Sequence, residues 1–244
     1  MKKTMLALML GLSLGLYACG GSDSGGGSSA QDPSSVDFNS PTGSLSSDNA
    51  QDVADKIYDA IIGQDAVGVG FIKNDIKAIM AHKATSDSCY SDVSETGGTI
   101  DYSCISDFIS GCTASGTLTY DIDGNVYSYT YNNVSISCDG YGFSSLNGTY
   151  SIDTTTTVFC TNISYTVNGV TSSSEGCYNA NGDILITVDG DSYVITDTNA
   201  DCSTVTAEVT DANGSNTLTC DPEPDSCTTP DDITGVTNCQ IASE

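Results

Sequence analysis

Ile184-Leu185-Ile186-Thr187-Val188, then Asp189-Gly190, then Asp191-Ser192-Tyr193-Val194-Ile195-Thr196, is the stretch whose reading decides the fold. Two runs rich in β-branched and aromatic residues flank a dipeptide that accepts positive φ, which is the signature of a hairpin closed by a two-residue turn. The same punctuation recurs at Asp123-Gly124, Asn147-Gly148, Asn168-Gly169, Asn181-Gly182 and Asn213-Gly214. Four segments also open alike, with Gly, a polar residue, an apolar one, a variable one and another apolar one, at Gly98, Gly116, Gly148 and Gly182. Residues 116–131 and 148–163 align at a constant offset, Val126 falling on Val158 and Tyr127 on Phe159, as a duplicated hairpin would. Together these predict a mainly β fold of eight to ten antiparallel strands in meander order, forming a twisted sheet, a sandwich or an open barrel. A parallel β-solenoid is the alternative, disfavoured because its turns do not need so many hairpin dipeptides.

Upstream the period changes. Val53, Ala54, Ile57, Ala60 and Ile61 repeat at helical spacing after Asp48-Asn49-Ala50-Gln51, which has capping-box form, and Gly63 is expected to close the helix. Phe71 to His82, with Ile72, Ile76, Ile79 and Met80 on one face, predicts a second short helix. Before both, Gly20 to Gln31 is almost all Gly and Ser, and low complexity continues to Ser47, which reads as a flexible tether.

The 244 residues carry six Lys, no Arg and 32 Asp plus Glu, a formal charge of −26. No basic patch exists to neutralise phosphates, which excludes nucleic acid as a partner. Ser and Thr fill 63 positions, yet the hydrophobic fraction is 38%, too high for plain disorder.

Lys2 and Lys3 followed by the apolar run from Met5 to Tyr17 form an export signal too short to span a bilayer. Its end, Leu16-Tyr17-Ala18-Cys19, resembles the lipobox of bacterial lipoproteins. The resemblance implies cleavage before Cys19 and lipidation of that cysteine. Gly20 and Gly21, standing where an aspartate would retain the protein at the inner membrane, imply an outer-membrane address. The wider layout is similar to uncharacterised lipoproteins with a Gly/Ser tether and a cysteine-containing β domain. The pieces that match are Gly97-Gly98-Thr99, Gly116-Thr117 and Asn147-Gly148-Thr149, and that group implies no activity.

Beyond Cys19, ten cysteines remain: Cys89, Cys104, Cys112, Cys138, Cys160, Cys177, Cys202, Cys220, Cys227 and Cys239. An even number in an exported chain reads as up to five disulfides. Their pairing is open, sequence neighbours such as Cys104 with Cys112 or Cys220 with Cys227 being candidates among others. No Cys-x-x-Cys is present and His82 is the lone histidine, so zinc and thiol-redox chemistry lack their ligand spacings.

Tyr127, Tyr129 and Tyr131 alternate along one strand and share a face. An aromatic strip for stacking on sugars is one reading. The favoured one is the inner face of a half-buried sheet, continued to Val134 and Ile136 through a bulge at Asn132-Asn133. Asp121, Asp123 and Asn125 place oxygen ligands at a turn, a weak Ca²⁺ candidate that departs from the EF-hand loop, with Gly124 fourth and Val126 sixth. No cofactor is expected.

The expected organisation is residues 1–18 signal peptide, 19–47 lipidated cysteine and tether, 48–84 helical segment, 85–220 β domain and 221–244 acidic tail. The expected function is a non-enzymatic, lipid-anchored envelope protein. Its β domain would be a structural, adhesive or binding module for a protein or glycan, on the periplasmic or the cell-surface side. An envelope hydrolase using two carboxylates is the alternative.

Overall fold

A computed structural model describes residues 31–66, 89–91, 94, 96–107, 112–138, 141–167, 169–223 and 235–242. Among the described residues one α-helix, α1 (Ala50–Ala66), precedes twelve strands: β1 (Tyr90–Ser91), β2 (Gly97–Asp101), β3 (Cys112–Asp123), β4 (Val126–Cys138), β5 (Tyr141–Asp153), β6 (Phe159–Val167), β7 (Val170–Tyr178), β8 (Ile184–Val188), β9 (Asp191–Ala200), β10 (Val205–Asp211), β11 (Gly214–Pro222) and β12 (Val236–Ala242). They form one antiparallel sheet in which every strand lies beside its sequence neighbours, the meander that the hairpin dipeptides predict. The two strands beyond the expected ten come from places without hairpin punctuation: β1 has two residues, and β12 lies in the stretch read as an acidic tail.

Asp189 and Gly190, at φ 52° and 92°, close the β8–β9 hairpin as expected. Asn147-Gly148 does not make a turn. Gly148 sits inside β5 at φ +112°, where a Cβ would strike the Asn162 carbonyl oxygen and lie 2.8 Å from Ile163 Cα. Gly116 does the same inside β3, against Asn133. Both glycines therefore let neighbouring backbones approach within strands rather than start them. Their common offset preserves the face but not the pairing: Tyr127 lies opposite Ile122, whereas Phe159 lies opposite Ile152 rather than Thr154.

The register carries one apolar row across seven strands: Tyr127, Ile152, Phe159, Tyr178, Ile184, Ile195 and Val209 stand opposite one another in turn. An aromatic ladder runs along this face. Ring centroids are 6.0 Å apart for Tyr129–Tyr150, 5.9 Å for Tyr150–Phe159 and 4.7 Å for the stacked Phe159–Tyr178 pair. Over the C-terminal strands α1 covers the face, burying Ala50, Val53, Ala54, Ile57 and Ala60 against Ile186, Tyr193, Ile195, Val209 and Leu218. The Tyr178 hydroxyl donates to the Ala60 carbonyl at 2.9 Å, so the polar end of a fully buried ring is satisfied by the helix.

The start of α1 departs from the capping box. Asn49 turns its carboxamide away from the helix, accepting from Ser46 N–H at 2.8 Å and donating to Ser44 O at 3.0 Å and Tyr193 Oη at 3.1 Å. Gln51 reaches the outermost strand instead, donating to Val236 O at 2.8 Å and accepting from Cys239 N–H. That strand is bulged, with Asn238 at φ 53°, and Gln51 occupies backbone groups that an edge strand would otherwise offer to another chain. The helix also runs through Gly63 to Ala66, because packing on the sheet outweighs the roughly 1 kcal/mol cost of an internal glycine. The expected second helix and His82 lie outside the described residues.

The tether boundary is a correction. Residues 31–47 are seated on the opposite face of the sheet and wrap round to α1. Val36 and Phe38 pack on Val158, Cys160, Cys177, Leu185 and Val194. Thr42 and Ser192 exchange hydrogen bonds, Gly43 N–H donates to Ser192 O at 2.9 Å, and Ala212 N–H donates to Gly43 O at 2.8 Å. Pro33 is buried as well and Leu45 packs on the core under α1, so a few apolar residues suffice where hydrogen bonds to the sheet hold the rest of the strap, which composition does not report.

Three disulfides are complete among the described residues: Cys89–Cys104, Cys160–Cys177 and Cys220–Cys239. Cys112 and Cys202 are also disulfide-bonded, and Cys138 stands directly opposite Cys112 in the ladder. Two of the three complete bridges join consecutive cysteines, Cys89 with Cys104 and Cys160 with Cys177, the latter directly opposite each other in the β6–β7 ladder, whereas the two candidate pairs are not formed: Cys104 joins Cys89 rather than Cys112, and Cys220 joins Cys239 rather than Cys227. Sequence separations of 15, 17 and 19 residues correspond to about 3 kcal/mol each from loop closure.

Candidate functional site

The tyrosines of β4 belong to the interior. Tyr129 and Tyr131 are 7% and 3% exposed, and Tyr127 packs at the cluster's margin. The expected bulge is present, the register shifting between Tyr131 and Val134, and it carries the apolar row on to Val134 and Ile136. Burial pushes the Tyr150 hydroxyl up to about 12, with Tyr129 beside it adding to the shift.

Asp121 and Asp123 are exposed on β3, and the Asn125 carbonyl accepts from Thr154 N–H at 3.0 Å and Thr154 Oγ1 at 3.1 Å. Among the described residues no group of three or more His, Cys, Asp or Glu side chains is placed to hold a metal ion. Cys19 lies outside the described residues.

An open bowl of ≈ 520 Å³ lies on the sheet face that carries the strap. Its floor is apolar, made by Val36 and Phe38 of the strap with Val158 and Val194 of the sheet. Asp37, Asn39, Asn179, Asn181, Asp183, Thr196 and Thr210 supply carboxylates, amides and hydroxyls, and no cation among the described residues lines it.

Local hydrogen bonds shape this rim. The Asn179 carboxamide oxygen accepts from Asn181 N–H at 2.9 Å and Asp183 N–H at 3.0 Å, while its nitrogen donates to Asp183 Oδ2 at 2.8 Å. Such an Asx turn fixes the loop between β7 and β8. Across the bowl, Asp37 Oδ1 accepts from Asn39 N–H at 2.8 Å, and that bond, with one from Ser40, holds the Asp37 carboxyl below its ordinary value. An acid held ionised is suited to accept hydrogen bonds and unsuited to donate a proton as a general acid. The side chains of Asn39, Asn181 and Thr196 are exposed at the rim.

None of these residues stands out in the sequence. The bowl joins a strap residue such as Phe38 to Asp183 and Thr210, and only Asn181-Gly182 was legible, as a turn. No family model matches the chain, and no curated protein or solved structure matches it.

Proposed function

We propose that the chain is an exported lipoprotein of the bacterial outer membrane, anchored through acyl groups on Cys19, and that its β domain is a non-enzymatic binding module. The bowl is its ligand-facing surface and a neutral polar ligand such as a glycan its occupant. The observation that carries this reading is the bowl's lining: exposed amides and hydroxyls around an aliphatic and aromatic floor, with no cation among the described residues to recruit an anion. The cystines support an oxidising compartment. Because the strap is seated from Gln31 onward, the chain between Cys19 and Gln31 can hold the domain at most about 40 Å from the anchor.

Two measurements test this. Fatty-acid labelling of cells is expected to mark the protein and to lose the mark in Cys19→Ser; persistent labelling would refute the anchor. Purified full-length protein is expected to bind neutral oligosaccharides on an array, with weaker binding in Asn181→Ala and Thr196→Ala. Absence of saturable binding would overturn the module, and cleavage of the probe would replace it with the carboxylate-pair hydrolase.

A further inference from the structure

We propose that the open edge of β9, residues 196–200, is a docking strand for an extended peptide that carries basic side chains. This surface is separate from the bowl, which it meets only at Thr196.

β9 outruns one of its two neighbours. β8 pairs with residues 191–195, ending at Ile184 opposite Ile195, whereas β10 follows β9 as far as Ala200. Along residues 196–200 β9 therefore has β10 on one side and, among the described residues, no strand on the other. Thr196, Asp197, Thr198, Asn199 and Ala200 are all exposed.

The hydrogen-bond phase of the β9–β10 hairpin shows which backbone groups face out. At its closed end Asp201 N–H donates to Thr204 O at 2.9 Å and Thr204 N–H to Asp201 O at 3.3 Å, a hydrogen-bonded pair. Bonded and non-bonded pairs alternate along an antiparallel ladder. Asn199 with Thr206 is therefore bonded, while Thr198 and Ala200, opposite Ala207 and Val205, turn both N–H and C=O away from β10. Two donors and two acceptors stand along about 7 Å of open edge, the pattern that a further strand completes.

Other edges of this sheet are guarded. β1 has two residues, and Gln51 occupies Val236 O and Cys239 N–H on the bulged β12. Where β7 runs beyond its pairing with β8, α1 packs on it and Lys56 pairs with Glu175 at 3.5 Å. Residues 196–200 carry neither Lys nor Pro, the residues that commonly blunt an edge.

Charge selects the occupant. Asp197 is exposed on the open stretch, Glu208 stands opposite it on β10, and Asp201 is exposed at the hairpin end. Lys56 is the one cation among the described residues, and it is held by Glu175. A strand laid beside β9 with Lys or Arg on the face of Asp197 gains opposite-charge cross-strand pairs. A second copy of this chain brings a further formal −26 to a contact only five residues long, which disfavours it.

The test uses oxidised full-length protein and a capped heptapeptide of alternating lysine and valine, with hydrogen exchange followed residue by residue by NMR. In the free protein the Thr198 and Ala200 amides are expected to exchange fast and the Asn199 amide slowly. Saturating peptide is expected to slow Thr198 and Ala200 by about tenfold or more. Asp197→Lys, an exposed substitution, is expected to weaken peptide affinity about tenfold. Absence of saturable binding at millimolar peptide would overturn the proposal, and so would binding that leaves both amides fast, since that is diffuse attraction to an acidic surface. Amides already slow in the free protein would also overturn it, pointing to a second copy if their protection rises with protein concentration alongside a dimer in sedimentation, and to cover by the chain itself if it does not.

Discussion

Asp211 closes the strap onto the sheet, and its removal gives the clearest measure of how firmly residues 31–47 belong to the domain. The side chain is 4% exposed at the end of β10. Its Oδ1 accepts from Asn213 N–H at 2.7 Å and Gly214 N–H at 3.0 Å, fixing the β10–β11 turn, while Oδ2 accepts from Leu45 N–H at 2.7 Å. A hydrogen bond to a charged group contributes about 1.5–3 kcal/mol net. Three bonds on one carboxylate are not additive, and released amides regain some water, so Asp211→Ala is expected to cost about 3–5 kcal/mol. For a domain of this size that lowers Tm by roughly 6–20 °C. Asp211→Asn keeps an oxygen for the turn but sets an amide nitrogen against the Leu45 N–H, costing about 1–3 kcal/mol. Urea denaturation of the oxidised protein gives the magnitudes, and hydrogen exchange at Leu45 reports the strap separately. If Asp211→Ala lies within about 1 kcal/mol of the parent and the Leu45 amide remains protected, the clamp is refuted.

Two further outcomes follow from the same geometry. Gly148→Ala is expected to destabilise by several kcal/mol more than Gly124→Ala, because both have positive φ but the Gly124 site has nothing within 4 Å while a Cβ at Gly148 strikes backbone; equal Tm values would contradict the close approach of β5 and β6. Tyr150, pushed up to about 12 when folded, keeps its proton in the native state while the unfolded chain loses it near pH 10. Its contribution is therefore complete below pH 10 and is lost as pH rises toward 12. Burial also pushes Tyr58, Tyr129, Tyr178 and Tyr193 up, so a spectrophotometric titration should show several late tyrosines, of which Tyr150→Phe removes one; an unchanged late amplitude would refute the assignment.

Much of the fold was legible because antiparallel hairpins are local. Asp189-Gly190 and the alternating runs beside it specify turn, pairing and face within thirteen residues, and Tyr129, Tyr131, Val134 and Ile136 declare one face once the Asn132-Asn133 bulge is allowed for. Composition likewise carried the paired cysteines, since their even number is independent of geometry. Strand interiors misled where a glycine served an approach instead of a turn: Gly148 resembles a hairpin residue locally, and the Asn162 carbonyl that requires it belongs to another strand.

By itself, then, the sequence determined the antiparallel hairpin order and the acidic charge balance, which are read from neighbouring residues and from composition. Tertiary structure alone decided which cysteines meet, that the polar strap is clamped by Asp211, that Gln51 occupies the bulged edge strand, and that Phe38, Asn181 and Thr210 line one bowl. Those pairings join residues up to 185 positions apart, and they depend on how the sheet's two faces are covered, which no local spacing encodes.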